Sequence, residues 1–349
     1  MEFKTCGVKY LGSKKDLLGA IGEIVSKLGA TTAIDVFSGT TRVAQYLRQM
    51  GLSVQTSDLS WATSVYAATY VHNRSNAHLR GVIDLLNDVV PLEGWLTANY
   101  TGEGPQEALR SDGRCFQRKN TMKADAARDA IDALDLEPWE HATLVTSIIR
   151  ALDAVDNTVG VQQAYLKEWC KRSYKDIVFE LPACVEGPTG QHFEGDCLSI
   201  GYAPADVAYI DPPYSAHSYA TYYHIWDSIA RWDKPETGLK ARRRADRVSN
   251  SQSFDSEMVS PWNSKKTALT AFRSLVDRLP VKHCVISYSD ESLIDRTTLI
   301  SAMEELGTVV VHEIDYRRNI MSQIGNATVN GEPEKDQKNK ELIIVVTKA

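Results

Sequence analysis

A short apolar segment, Asp206–Ile210, is followed at once by Asp211-Pro212-Pro213-Tyr214. The apolar run predicts a buried strand. The two prolines end it, because proline fixes φ and lacks the N–H that a central strand donates. In open α/β sheets, ligands bind beyond the carboxyl ends of the strands. The segment therefore predicts a polar turn at the ligand-binding edge of a sheet.

Strand-like and helix-like segments alternate through much of the chain. Thr32–Phe37 and Leu52–Thr56 predict strands, and a helical pattern follows each of them. Three further strands are predicted near the C-terminus: His283–Tyr288, Thr308–Tyr316 and Leu342–Thr347. This alternation is typical of an α/β protein. The polar residues 322–340 predict a loop between the last two strands.

The middle of the chain has a different pattern. Three of its segments have helical periodicity: Lys123–Leu134, Glu140–Val155 and Val161–Lys175. Pro138 suits the first turn of a helix. We therefore predict that residues 79–181 form a mainly helical insertion, and that residues 1–78 and 182–349 together form one α/β domain.

Composition excludes several classes of protein. The chain has 39 Lys+Arg and 45 Asp+Glu, a net charge of −6, and 43% hydrophobic residues, which are ordinary globular values. No run approaches the roughly 18–20 apolar residues of a membrane helix, and the N-terminus lacks a signal-peptide core. The six cysteines have neither disulfide-framework nor metal-site spacing. We expect a cytoplasmic protein with reduced thiols.

The Asp211 turn suits a specific chemical task. The exocyclic amine of a nucleobase is a poor nucleophile, because its lone pair is delocalised into the ring. The carboxylate of Asp211 and the carbonyl of Pro212 can accept its N–H bonds and free that lone pair, while Tyr214 can stack on the base. The alternative is a turn whose prolines only make it rigid.

Three further elements suit a ligand that carries a ribose and a carboxylate. In Asp35–Thr41, a strand, a small-residue turn and a helix start allow backbone N–H groups to approach a ligand, although such turns are common in α/β proteins. Asp58, at the end of the next strand, suits a ribose diol. Gly12 and Ser13 can offer amides to a carboxylate and Lys14 a charge, or they can form an ordinary helix start.

In this order, the elements resemble the DNA adenine methylase family of N6-adenine DNA methyltransferases with the alpha arrangement of motifs. The matching elements are Lys9–Lys14, Asp35–Thr41, Asp58 and Asp211–Tyr214. The resemblance continues over nearly the whole chain, in Asp156–Gly160, Ala164–Lys167, Tyr223–Asp227, Ile286–Asp290, Tyr316–Arg318 and Lys340–Ile344. One departure is Thr41, where the family often has a second glycine.

The resemblance implies a Rossmann-like α/β fold: a seven-stranded mixed sheet with an antiparallel C-terminal hairpin, and an inserted target-recognition region. It implies S-adenosylmethionine as the cofactor. No metal is expected from the residues themselves, because His217 and His224 near the Asp211 turn have no third ligand at suitable spacing. Asp35 would face the methionine amine, Asp58 the ribose and Asp196 the adenine amine, and the Lys9–Lys14 loop would face the carboxylate. The implied cofactor-binding residues are Tyr10, Gly12, Ser13, Lys14, Asp35, Phe37, Ser38, Gly39, Thr40, Asp58, Asp196 and Cys197.

The implied reaction is direct methyl transfer to N6 of an adenine rotated out of double-stranded DNA. Its catalytic residues would be Asp211, Pro212, Pro213 and Tyr214. Two basic segments, residues 111–120 and 240–247, are candidates to hold the DNA, although such runs are often only solvated surface. The predicted DNA-binding residues are Arg114, Arg118, Lys119, Tyr219, Lys240, Arg242, Arg243, Arg244 and Arg247.

Several alternatives stay open at this point. Cytosine-N4 methylation uses the same amine chemistry, RNA adenine-N6 methylation is compatible with the turn, and a non-catalytic DNA-binding relative would keep the fold. Cytosine-C5 methylation needs a Pro-Cys nucleophile, and none of the six cysteines follows a proline. A separate restriction endonuclease is a conceivable partner, and a membrane is not expected to be one.

Overall fold

The computed structural model describes residues 3–72, 74–102, 115–166, 168–213, 218–238, 243–248, 251–256, 259–289, 292–317 and 338–348. Within them the strands are β1 (Thr32–Asp35), β2 (Ser53–Asp58), β3 (Thr101–Gly102), β4 (Phe116–Gln117), β5 (Gln191–Glu194), β6 (Ala205–Ile210), β7 (Val281–Ser289), β8 (Gly307–Arg317) and β9 (Lys338–Lys348). The α-helices are α1 (Leu18–Lys27), α2 (Arg42–Gln49), α3 (Trp61–Tyr70), α4 (Arg80–Asn87), α5 (Trp95–Tyr100), α6 (Arg118–Asp132), α7 (Pro138–Val155), α8 (Tyr219–Tyr222), α9 (His224–Arg231), α10 (Ala268–Arg278) and α11 (Arg296–Glu304).

Seven strands form one mixed sheet in the order β5-β2-β1-β6-β7-β9-β8. The first five pair in parallel, and β9 is antiparallel to both β7 and β8. The seven-stranded mixed sheet and its antiparallel C-terminal pair are therefore confirmed. β1 lies between β2 and β6, and Asp35 is in register with Thr56 and Tyr209. The segments that follow these three strands consequently leave the same edge of the sheet.

Successive residues of the central strands face opposite sides of the sheet, and both sides are covered. Ile34 packs with Ala208 and Ile286 in one apolar cluster, which α10 and α11 complete. The preceding residue, Ala33, packs in a second cluster with residues of α1 and α2. Burial on both faces explains why these strands are continuous apolar runs instead of alternating ones.

The middle region is largely helical, as predicted. α7 begins with Pro138 in its first turn, and Glu137 and Glu140 form a reciprocal capping box there. α7 packs on α3, and the two helices share one buried cluster with α9. Among the described residues, the insertion thus shares its core with helices that flank the sheet. The domain boundaries at 78/79 and 181/182 remain predictions.

The helix predicted over Val161–Lys175 is wrong. This segment has only a single 3₁₀ turn, Lys171–Tyr174, among its described residues, and Tyr165 forms an isolated bridge with Thr158. Asn157 explains the difference, because its side chain bonds to the backbone of Leu166 and Cys170. Side-chain hydrogen bonds of this kind compete with helix formation.

Two expectations concern segments outside these elements. The loop predicted over 322–340 lies outside the described residues as far as 337, and β9 begins at Lys338, earlier than predicted. Within the described part of the chain, no helix combines the length and apolarity needed to cross a bilayer.

Candidate active site

A pocket opens where β1, β2, β5 and β6 end, at the sheet edge predicted for ligand binding. It brings together eleven predicted site residues: Tyr10, Gly12, Lys14, Phe37, Asp58, Asp196, Cys197, Asp211, Pro212, Pro213 and Tyr219. Tyr214 lies outside the described residues. Predicted catalytic and cofactor-binding positions therefore line one cavity, although the chain separates them widely.

Asp211 is the first residue after β6. Its carboxylate is largely buried, and the Lys14 ammonium lies 3.0 Å from its Oδ1. Lys14 also donates to the carbonyl of Gly12 (3.1 Å). The sequence predicted Lys14 as a ligand for a cofactor carboxylate. The structure places it in the pocket wall and also pairs it with the predicted catalytic carboxylate.

Two backbone N–H groups bind the Asp58 carboxylate, one from the small-residue turn after β1 and one from the segment after β2. The N–H of Gly39 donates to Asp58 Oδ2 (2.8 Å), and the N–H of Ser60 donates to Oδ1 (2.9 Å). Burial raises the pKa of the Asp58 carboxyl to about 6, although these N–H bonds oppose the rise. Two other predicted members of the turn, Ser38 and Thr40, are buried and do not line the described part of the pocket.

Thr41, which stands where the family often has a second glycine, adopts a glycine-like backbone conformation. Thr41 has φ 60°, in the left-handed region that glycine adopts most easily. Its Oγ1 accepts a hydrogen bond from Gln45 Nε2 (3.0 Å). The departure seen in the sequence therefore keeps a glycine-like turn.

Asp35 immediately precedes Val36 and Phe37, which line the pocket, and does not itself line the described part of it. Its Oδ2 accepts from the N–H of Ala44 (3.1 Å) at the start of α2. Its Oδ1 is buried and has no hydrogen-bond partner among the described residues. Burial raises the pKa of this carboxyl to about 8. A buried acceptor without a donor is costly, so a ligand group that donates a hydrogen bond to Oδ1 would relieve this cost.

Aromatic rings form the opposite wall. Tyr10 stacks on Tyr223 at a centroid distance of 4.5 Å and an interplanar angle of 15°, and Tyr219 lies 5.5 Å from Tyr10. Gly12 has φ 77°, and a Cβ there would lie 3.3 Å from the Tyr219 hydroxyl. The Tyr223 hydroxyl accepts from the N–H of Leu11 (2.6 Å). These contacts hold the N-terminal segment against α8 and α9.

Two residues of that segment point elsewhere. The Lys9 ammonium binds Asp156 Oδ1 (2.7 Å), and its backbone N–H donates to Asp153 Oδ2 (3.1 Å). Lys9 therefore ties the segment to the end of α7, and its proposed part in holding a cofactor carboxylate is not supported. Ser13 donates its N–H to the carbonyl of Tyr10 (3.3 Å) and does not line the described pocket.

Arg244 and Arg247, which were predicted to belong to a phosphate-binding surface, are instead buried, and a contact of either residue with DNA phosphate stays a prediction. The Arg244 side chain is 2% exposed and forms two hydrogen bonds with Asp233 (2.8 and 2.7 Å) and others with Asp246. Arg247 is 1% exposed and lies 4.6 Å from the centre of the Trp61 ring. Both guanidinium groups belong to the packing around that ring.

The other basic residues stay predictions. Arg114, Lys240 and Arg242 lie outside the described residues, and Arg243 is partly buried. At the start of α6, Arg118 pairs with Glu93, and Lys119 pairs with Asp176. These last two pairs are largely exposed.

Several pocket residues were not predicted. Trp262 packs edge-on against Phe37 at 5.0 Å, and Ser60 and Asp227 line the pocket near Asp58. Glu341 is connected to the site through Lys14, because its Oε1 lies 3.4 Å from the Lys14 ammonium. The one available signal was the acidic residue at the start of the apolar run Leu342–Val346. Nothing local marks Trp262.

Comparison with known proteins gives consistent relatives. The family described as D12 class N6 adenine-specific DNA methyltransferase matches residues 10–285. The modification methylase StsI of Streptococcus sanguinis is 28% identical over 89% of this chain and 48% of its own length. The modification methylase LlaI of Lactococcus lactis subsp. lactis is 25% identical over 98% and 55%. The type II methyltransferase M.NlaIII of Neisseria lactamica is 26% identical over 89% and 92%. The chain thus spans about half the length of the first two.

Proposed function

The chain belongs to the D12 class of N6 adenine-specific DNA methyltransferases, and on that premise we propose that it transfers the methyl group of S-adenosylmethionine to N6 of an adenine at a specific site in double-stranded DNA. The observation that carries the proposal is the position of Asp211. Its carboxylate lies at the end of β6 and lines the same pocket as Asp58 and Asp196. The transfer needs a carboxylate that accepts the N–H bonds of the target amine and carboxylates that bind the cofactor, all in one cavity.

The residues present fit the cofactor. Asp35 Oδ1 is a buried acceptor that suits the methionine ammonium, and Asp58 suits the ribose hydroxyls. Asp196 suits the adenine amine, and Phe37 and Trp262 offer apolar surface to the ring. When bound, S-adenosylmethionine supplies a methyl group made electrophilic by the sulfonium.

The protein contributes orientation and acceptors for protons. Asp211 and the Pro212 carbonyl accept the two N–H bonds of the target amine, which directs its lone pair toward the methyl group. The target base must leave the duplex to reach them, at a cost of a few kcal/mol, and Tyr219 offers a ring against which it can pack. The proton that nitrogen loses after transfer passes to the Asp211 carboxylate.

The product identifies the reaction. Duplex DNA of mixed sequence, incubated with the protein and methyl-labelled cofactor and then digested to nucleosides, should contain labelled N6-methyldeoxyadenosine. N4-methyldeoxycytidine would favour the cytosine alternative, and preferential labelling of structured RNA would favour the RNA alternative. Cofactor binding without transfer to any nucleic acid would favour a non-catalytic relative.

The relatives' names suggest a biological setting. Two are called modification methylases and one a type II methyltransferase, so we propose that this chain modifies cytoplasmic DNA within a restriction-modification system, with a separate endonuclease as partner. Single-molecule sequencing of DNA from cells that express it should report one methylated motif. Scattered methylation without a motif would contradict this setting.

The contribution of Asp58 to cofactor affinity should depend on pH. Ribose hydroxyls donate to the charged carboxylate, so they bind it better than the protonated form. With the pKa of Asp58 near 6, the affinity ratio of wild type to Asp58→Asn should rise as pH increases from 5 to 7 and then level. Calorimetric titration with S-adenosylhomocysteine measures both affinities. A ratio that does not change with pH would contradict the assigned role of Asp58.

Gly39→Ala should lower both stability and cofactor affinity. Gly39 has φ 47°, and an added Cβ would lie 3.2 Å from the Tyr10 ring. The left-handed backbone alone should cost about 1–2 kcal/mol of unfolding free energy. Gly51→Ala is the matched control, because Gly51 has φ 97° and an added Cβ would meet no atom of the described residues within 4 Å. Chemical denaturation should show a lower free energy of unfolding for both variants. Only Gly39→Ala should also weaken cofactor binding.

A further inference from the structure

Two largely buried carboxylates share one lysine of the pocket wall. The Lys14 side chain is 6% exposed, and its ammonium lies 3.0 Å from Asp211 Oδ1 and 3.4 Å from Glu341 Oε1. Glu341 Oε1 also accepts a hydrogen bond from the Ser287 hydroxyl (2.7 Å). Asp211, Lys14, Glu341 and Ser287 therefore form a continuous polar chain that begins at the predicted catalytic carboxylate.

The sheet fixes the far end of this chain. Glu341 on β9 pairs in register with Ser289 on β7, and Ser287 pairs with Ile343, two residues further along β9. Ser287 and Glu341 are thus diagonal neighbours on adjacent strands, a geometry that lets side chains on one face interact. The backbone ladder consequently holds the carboxylate that faces Lys14.

The charges make Lys14 sensitive to both partners. Burial favours the neutral amine, but the attraction of Asp211 and Glu341 outweighs it and raises the pKa of Lys14. The ammonium thus stays charged and is shared by two anions. Without the Glu341 charge, that ammonium would be drawn wholly toward Asp211.

We propose that Glu341 is a positioning residue for methyl transfer: with Ser287 it holds the Lys14 ammonium in a shared position beside Asp211 Oδ1, and so sets the orientation of the carboxylate that accepts the adenine amine. This inference rests on the proposed function. Glu341 acts through Lys14. Its role is distinct from that of a side chain that only fills the core.

Glu341→Gln keeps the shape of the side chain and removes its charge. Under single-turnover conditions with duplex DNA, it should lower the methyl-transfer rate roughly tenfold to a hundredfold, the size of effect seen when a supporting partner of a functional group is lost. The dissociation constants for S-adenosylhomocysteine and DNA should change less than threefold. Glu341→Asp should recover part of the rate.

The pH profile separates positioning from simple packing. In Glu341→Gln, the undivided charge of Lys14 should lower the pKa of Asp211, so the acidic limb of the rate profile should move to lower pH. A packing defect would reduce the rate without moving this limb. Glu305→Gln, which removes a carboxylate from the exposed pair with Arg273, is the matched control and should leave rate and profile unchanged.

The remaining outcomes are also decisive. If Glu341→Gln does not fold, Ser287→Ala serves instead and should lower the rate severalfold with the same affinities. A wild-type rate in either folded variant, or a lower rate with an unmoved acidic limb, overturns the inference and leaves the proposed function standing. A wild-type protein that methylates no nucleic acid overturns the proposed function and this inference with it.

Discussion

Asp211→Ala should abolish methyl transfer and leave cofactor binding largely intact. The substitution removes the carboxylate that accepts the target amine, while Asp58 and Asp196 remain in the pocket wall. Loss of one positioned acid-base or electrostatic group typically costs roughly 10²–10⁴-fold in rate, so we expect a decrease of about 10³-fold or more. Single-turnover transfer to duplex DNA measures this rate, and calorimetry with S-adenosylhomocysteine measures the affinity.

A matched variant guards against a general effect of charge. Asp277→Asn removes a carboxylate from an exposed position on α10 and should leave transfer unchanged. Because Asp211 pairs with Lys14, the folded state of Asp211→Ala must be checked by thermal unfolding. A folded Asp211→Ala variant with full activity would overturn the assignment of this carboxylate. Lost cofactor binding would instead make Asp211 a residue of the cofactor site.

Arg244→Ala should destabilise the protein strongly. The substitution removes a guanidinium that is 2% exposed and leaves Asp233 and Asp246 without their main partner. Breaking a buried ion pair by removing one partner costs about 3–5 kcal/mol. Because these two aspartates are partly exposed, we expect a loss near the lower figure. Urea denaturation measures the free energy of unfolding.

Arg231→Ala is the control for the same aromatic ring. Arg231 lies 4.0 Å from the centre of the Trp61 ring, but its side chain is half exposed, so its loss should cost at most about 1 kcal/mol. DNA affinity across a salt series tests whether Arg244 contacts phosphate instead. A folded Arg244→Ala variant of normal stability, with a salt slope reduced by about 1, would restore Arg244 as a phosphate contact.

Residues next to regular elements could be placed from the sequence. Asp58 ends one strand and Asp211 directly follows another, and local sequence patterns are enough to locate such ends and to predict that they meet at one edge. The proline signal likewise placed the start of α7, which begins at Pro138 as expected. These features depend on neighbours within a few positions of the chain.

Features created by distant contacts could not be placed in this way. Arg244 reads as part of a basic surface run, yet it is buried because Asp233 and Trp61 meet it in the fold. Glu341 is joined to Lys14 only by the strand order. The segment Val161–Lys175 has helical periodicity, but side-chain bonds from Asn157 prevail there.

The stretch from Lys9 to Lys14 links two distant parts of the molecule. At one end Lys9 forms an ion pair with Asp156, just after α7, and at the other end Lys14 forms an ion pair with Asp211. Six residues reach at most about 20 Å, and Tyr223 clamps them midway through Leu11. A segment this short can extend very little between its two ends. A displacement of the end of α7 would therefore be transmitted through Lys9 and the backbone of this segment to Lys14, and from there to the carboxylate of Asp211.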